Sequence, residues 1–215
     1  MAENYPIMLN IEGKACVVIG GGDVAARKIG GLLDAQANVT IISPQITPAI
    51  HSRLDAIKWV QSVYQTGMLE AYQPFLVFAA TNDPDINNQI TSEAHQLGAL
   101  VNQADDASSA DFQNVVTLDR SPLKIMISTG GASPALAKHL KQIINNVVGN
   151  EYAVLAQWLQ ELRPVANVRL NTQPDRQKLY ETILASDILM LLRQQKIDQA
   201  YAQFQHLTQA VRQST

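Results

Sequence analysis

The chain has 215 residues, 47% of them hydrophobic and 16% charged, with a formal net charge of −3. That length allows one large domain or a domain with an appendage, and the slightly acidic balance offers no global basic field for nucleic acid or an anionic membrane. Cys16, the only cysteine, excludes an internal disulfide; no run reaches the ~18 apolar residues of a membrane span, and the start carries no basic leader, so a cytoplasmic protein is expected.

The first hundred residues alternate between two periodicities. Strands are predicted at Lys14–Ile19, Val39–Ile42, Trp59–Val63, Phe75–Ala80 and Leu100–Asn102, each rich in Val, Ile or aromatic residues. Cys16 lies in the first of these runs and reads as a small core residue. Helices fall between most of the strands. Thr47-Pro48 and Asp83-Pro84 each set a capping side chain before a proline at the first helical position, and Gly98 is a stop signal. This alternation predicts a parallel sheet with helices on both faces. After Asn102 the pattern changes to two strands, Val115–Leu118 and Lys124–Ser128, and then a helix from about Pro134 to Val148. Helices are expected at Tyr152–Leu162, Asp175–Leu192 and Ile197–Val211.

Between the first strand and the first helix runs Gly20-Gly21-Gly22-Asp23-Val24-Ala25, which fits the dinucleotide fingerprint G-x-G-x-x-A in its proper context. Gly20 permits the tight turn, Gly22 lets the backbone approach a pyrophosphate, and Ala25 allows close helix–strand packing. The free N–H groups of the helix start face the phosphates. The second strand ends in Ser43-Pro44-Gln45, without the acid that usually holds the adenine ribose and without an arginine, so NAD and NADP both stay open. Thr81, Asn82 and Asn102 stand at the carboxyl ends of predicted strands, where open α/β sheets bind ligands. Ser128-Thr129-Gly130-Gly131 ahead of Ser133 reads either as an anion-binding nest or as an ordinary helix cap. Arg120, Lys124, Lys138 and Lys141 are either charge for substrate carboxylates or plain surface charges. His51, His95, His139 and His206 are scattered without metal-ligand spacing, and no metal site is expected.

Four segments together resemble the precorrin-2 dehydrogenase family, the N-terminal half of siroheme synthases and their stand-alone bacterial relatives. They are Tyr5–Leu9 with the Gly20–Lys28 loop, Phe78–Asp83 with Asn87, Val101–Asp106, and Asp119–Leu123 with Ile127–Ala137. The resemblance implies oxidation of precorrin-2 to sirohydrochlorin with NAD, in some members joined by iron insertion. It also implies a homodimer whose subunits interlock through the segment after the Rossmann domain. Asp105 matches the family's catalytic aspartate, and cofactor contacts fall on Gly22, Asp23, Val24, Ser43, Pro44 and Gln45. Two departures stand out: Gln113-Asn114 where the family commonly has a proline after Phe112, and Gln36 where a glycine is often found.

The expected fold is therefore α/β. A Rossmann-type parallel sheet spans 1–111, a small α+β dimerisation segment 112–149, and a helical C-terminal region 150–215. The expected substrate is a carboxylate-rich tetrapyrrole, met by Asn102, Arg120, Ser128, Thr129, Gly130, Gly131 and Ser133. No nucleic-acid or membrane partner is expected. The alternative is a non-catalytic NAD-sensing Rossmann module.

Overall fold

The computed structural model describes residues 4–104 and 110–213, which fall into two compact units, Asn4–Asn114 and Val115–Thr215. In the first, five parallel strands form one sheet: β1 (Ala15–Ile19), β2 (Asn38–Ile42), β3 (Lys58–Val60), β4 (Leu76–Ala79) and β5 (Leu100–Gln103), in the order β3-β2-β1-β4-β5. The order reverses between β1 and β4, which opens a crevice at the carboxyl edge of the sheet. Pairing of Ile19 with both Ile42 and Ala79 brings the ends of β1, β2 and β4 level along that edge.

Both faces of the sheet are covered, which is why its central strands are apolar throughout and do not alternate. Helix α1 (Asp23–Asp34) presses Ala25, Ala26, Ile29 and Leu32 onto the face carrying Cys16, Val18, Val39, Ile41 and Phe78. Burial pushes the Cys16 thiol up to about 11, which makes it core and no nucleophile. On the other face Val17, Ile19, Val77 and Val101 meet Ile90 and Ala94 of a helix at Pro84–Gln96. As expected, Asp83 caps that helix, accepting from the N–H groups of Asp85 (2.9 Å) and Ile86 (3.2 Å), and Gly98 follows its end with φ +72°.

Two expectations in this unit need correction. The helix announced by Thr47-Pro48 is a single turn, α2 (Pro48–His51), so the Pro84–Gln96 helix is α3. Thr47 makes no cap: its N–H donates to the Gly21 carbonyl (2.9 Å) and its hydroxyl is buried without a partner. The third strand stops at Val60, because the Ser62 N–H turns back to the Val60 carbonyl (2.9 Å).

The second unit opens with an antiparallel hairpin, β6 (Val116–Arg120) and β7 (Leu123–Ile127), followed by α4 (Pro134–Val147). Ser133 caps α4 by accepting from the Leu136 N–H (3.2 Å). Four more helices follow: α5 (Asn150–Arg169), α6 (Gln173–Leu184), α7 (Ile188–Arg193) and α8 (Ile197–Gln213). Helix α5 runs on past the expected end at Leu162 and contains Pro164. The expected helix Asp175–Leu192 is divided into α6 and α7, because the Ser186 hydroxyl donates to the Ile183 carbonyl (2.6 Å) and accepts from the Ile188 N–H (3.4 Å), replacing helical bonds. Leu155, Leu162, Ile183, Ile188 and Phe204 form the core of this helical part, with Trp158 edge-on to Tyr201 at 5.0 Å.

Candidate dinucleotide cleft

The three consecutive glycines meet three different surroundings. Gly20 has φ +114°, and a Cβ there would lie 2.2 Å from the Ala80 carbonyl oxygen. A Cβ on Gly21 would lie 1.8 Å from the Gln45 carbonyl oxygen and 2.6 Å from the Ser43 hydroxyl. The loop is thus wedged between the chain leaving β4 and the chain leaving β2. Backbone bonds from Gly20 N–H to Ile42 O (3.0 Å) and from Thr47 N–H to Gly21 O (2.9 Å) hold it there. A Cβ on Gly22 would meet nothing within 4 Å. Gly22 is also the N-cap of α1 and offers no side-chain cap, so the first-turn N–H groups, which have no partners within the helix, face an open volume.

That volume is a cleft of about 360 Å³. Its floor is Ile19 to Val24; one wall is Ile42, Ser43 and Pro44 with Val63 and Tyr64, and the opposite wall is Ala80, Thr81, Asn82 and Ile86. Eight of the nine sequence-predicted cofactor positions, namely Gly20, Gly22, Asp23, Val24, Ser43, Pro44, Thr81 and Asn82, therefore come together here. Gln45 does not line the cleft; its carbonyl accepts the Ser43 hydroxyl at 2.6 Å, which shapes the turn after β2. The indole of Trp59 caps the Ser43 carbonyl at 2.9 Å. The turn after β4 is built on the buried Asn87, whose Oδ1 accepts from the Thr81 N–H (3.2 Å) and hydroxyl (2.7 Å). Among the described residues lining the cleft, Asp23 alone is charged.

Asp105 lies outside the described residues. Both flanks of its segment are fixed to the sheet edge. Ala104 N–H donates to Ala79 O (3.0 Å), and Asp111 exchanges bonds with Val101, its N–H to Val101 O (2.9 Å) and its Oδ2 from Val101 N–H (2.8 Å). Asn102 is buried beside them, with its amide engaged internally: Oδ1 accepts from Lys28 Nζ (2.9 Å) and Nδ2 donates to Phe112 O (2.8 Å). Burial, and then the charge of Arg27, lowers the pKa of Lys28, whose ammonium also lies 5.5 Å above the Phe78 ring.

In the second unit the predicted substrate residues are also held by the chain itself. The Arg120 guanidinium donates to Val148 O (2.9 Å), Asn150 Oδ1 (3.0 Å) and Asn145 Oδ1 (2.8 Å). Ser128 Oγ accepts from Gly130 N–H (3.2 Å), and Thr129 Oγ1 accepts from Ser133 N–H (3.2 Å). Gly130 and Gly131 have φ of 60° and 84°. Among the described residues no three His, Cys, Asp or Glu side chains gather as a metal site.

Sequence reasoning missed Gly21, Val63, Tyr64, Ile86 and Glu93. For Glu93 a signal existed: it falls on the buried stripe of α3 with Ile90 and Ala94, where an acid is out of place. Val63 and Tyr64 sit in an irregular connection, where periodicity says nothing.

Residues 7–115 match the family model described as "Putative NAD(P)-binding", and residues 120–146 the one described as "Sirohaem biosynthesis protein central". A siroheme synthase of Methylobacillus flagellatus is 32% identical over 183 residues, 84% of this chain and 39% of that protein. Another, of Nitrosococcus oceani, is 34% identical over 183 residues, 85% of this chain and 39% of that protein. The chain spans about two fifths of the length of these curated relatives. Among solved structures, one titled SirC, precorrin-2 dehydrogenase, matches with a TM-score of 0.74 at 28% identity, over 91% of this chain and 98% of that one. With its five-stranded parallel sheet, its NAD(P)-binding model across half the chain and the central model beyond it, the chain belongs to the family of precorrin-2 dehydrogenases and siroheme synthase N-terminal domains.

Proposed function

We propose that this chain is an NAD-dependent dehydrogenase that oxidises precorrin-2 to sirohydrochlorin. The observation that carries the proposal is the uncapped N-terminus of α1 at Gly22, open where Gly20 and Gly21 are closed, facing a 360 Å³ cleft. A dinucleotide fits this arrangement. The Gly22–Val24 backbone holds the pyrophosphate through free N–H groups and the helix dipole. Ser43 and Pro44 take the adenosine side, with Gln45 shaping their turn, and Thr81 and Asn82 take the other half. When bound, the nicotinamide accepts the hydride that the macrocycle loses. Asp105 takes the accompanying proton.

The identity of the dinucleotide is argued from charge. A 2′-phosphate requires a cation at the end of β2, whereas among the described residues lining the cleft the only charged one is the acidic Asp23. NAD is therefore the cofactor. Substrate carboxylates are assigned to the Ser128–Ser133 turn, while Asn102 and Arg120, whose polar atoms are engaged, hold the chain at the β5 end and at the end of α4 respectively. No described helix is long and apolar enough to cross a membrane, and we place the protein in the cytoplasm. It acts as a homodimer through the 112–149 segment, for reasons that lie in α4.

Calorimetric titration tests the cofactor reading. NAD is expected to bind at least about tenfold more tightly than NADP, the scale of about 1.4 kcal/mol. Equal or tighter binding of NADP would overturn the charge argument.

A further inference from the structure

The connection from β3 to β4 brings Val63 and Tyr64 to the cleft wall, yet apart from one 3₁₀ turn at Glu70–Tyr72 it has no regular structure. Its course is set from α3. Glu93 is only 7% exposed, and its carboxylate is filled by donors from this one connection. Oε2 accepts from the Tyr64 hydroxyl and from Gly67 N–H (2.8 Å), and Oε1 accepts from Leu69 N–H (2.8 Å). No ion pair involves Glu93 among the described residues. Burial, and then the bond to Glu93, pushes the Tyr64 phenol far above its usual range, so it stays a donor.

A buried carboxylate is an expensive way to pack a helix, and an apolar residue of similar size would serve α3 as Ile90 does. What the carboxylate supplies instead is direction: three charge-assisted bonds hold an irregular segment in one shape. That shape matters here because β2 ends without the acid that would grip the adenine ribose. Recognition of the adenosine half then falls to the form of the wall.

We propose that Glu93 is a positioning residue for the dinucleotide. Acting through Tyr64 and the Gly67 and Leu69 N–H groups, it fixes Val63 and Tyr64 beside Ser43 and Pro44 as the adenosine wall of the cleft. Glu93 itself touches no cofactor. The inference rests on the cofactor reading above.

The test is calorimetry with NAD, AMP and nicotinamide mononucleotide on wild type, Glu93→Gln and Tyr64→Phe. In Glu93→Gln the affinities for NAD and AMP are expected to fall roughly tenfold, with nicotinamide mononucleotide unchanged. Tyr64→Phe, which keeps both backbone bonds, is expected to show a smaller loss confined to NAD and AMP. A role limited to folding would lower the melting temperature and weaken both half-molecules alike, and that result overturns the proposal. So does unchanged AMP affinity in folded Glu93→Gln. If Glu93→Gln does not fold, Tyr64→Phe decides: selective loss of AMP supports the proposal and unchanged AMP affinity refutes it. Wild-type protein that binds no NAD overturns the cofactor reading and this inference with it; wild type that binds NAD, beside variants that bind it equally, removes only Glu93.

Discussion

An added methyl group separates the roles of the three loop glycines. Gly20→Ala and Gly21→Ala drive a Cβ into the backbone carbonyls of Ala80 and Gln45, 2.2 and 1.8 Å away. Each is expected to cost about 1–3 kcal/mol of stability, the usual range for overpacking. Gly22→Asp has open space and φ −84°, so it is expected to fold with near wild-type stability. Its carboxylate would stand in the place proposed for the pyrophosphate, and NAD binding is expected to be lost. Urea unfolding and NAD titration of the three variants check this, and a folded Gly22→Asp that binds NAD normally would refute the placement. The motif made Gly20 and Gly22 legible in the sequence. It did not reveal Gly21, an unrestricted position in the fingerprint, because the atoms that crowd it arrive from residues 43–45 after a whole βα unit. Gln36 is a further residue-scale case: a non-glycine residue there holds a left-handed turn, at φ 58°.

The elements that were readable are those whose pattern is local. Apolar runs gave β1, β2, β4 and β5 within a residue or two, and Asp83-Pro84 gave the start of α3, because strand burial and capping act within a few residues. The division at Ser186 was not readable, since the serine hydroxyl can either face solvent or, as here, take over helical bonds to its own neighbours. Helix α4 carries an element-scale prediction. Ala137 is its only buried residue, while Leu136, Ile143 and Val147, spaced to share one face, are 48%, 48% and 59% exposed. An apolar face of this kind on a helix beside a two-stranded hairpin fits an isologous interface with a second copy. Light scattering at micromolar concentration is expected to give twice 23.5 kDa for the wild type and 23.5 kDa for Ile143→Asp. A monomeric wild type would contradict the interface.

In the whole molecule, residues 7–115 match the NAD(P)-binding model and carry the cleft, and residues 120–146 match the sirohaem biosynthesis central model. The cleft was legible because its parts lie at strand ends that the sequence marks. The role proposed for Asp105, which lies outside the described residues, rests on family resemblance alone, since a single aspartate has no physical signature in sequence. The described residues on either side, Ala104 and Asp111, are both bonded to the sheet edge.

The central claim is oxidation of precorrin-2 at the expense of NAD, with Asp105 taking the proton. The direct measurement is NADH formed on mixing freshly made precorrin-2 with NAD and the protein, followed with sirohydrochlorin absorbance, for wild type, Asp105→Ala and Asp106→Ala. Wild type is expected to form one NADH per sirohydrochlorin. Asp105→Ala is expected to turn over roughly 100-fold more slowly, the scale for loss of a positioned acid–base group, with NAD affinity intact and Asp106→Ala close to wild type. Wild-type protein that binds NAD yet forms no NADH from precorrin-2 would contradict the account and make the cleft a sensor.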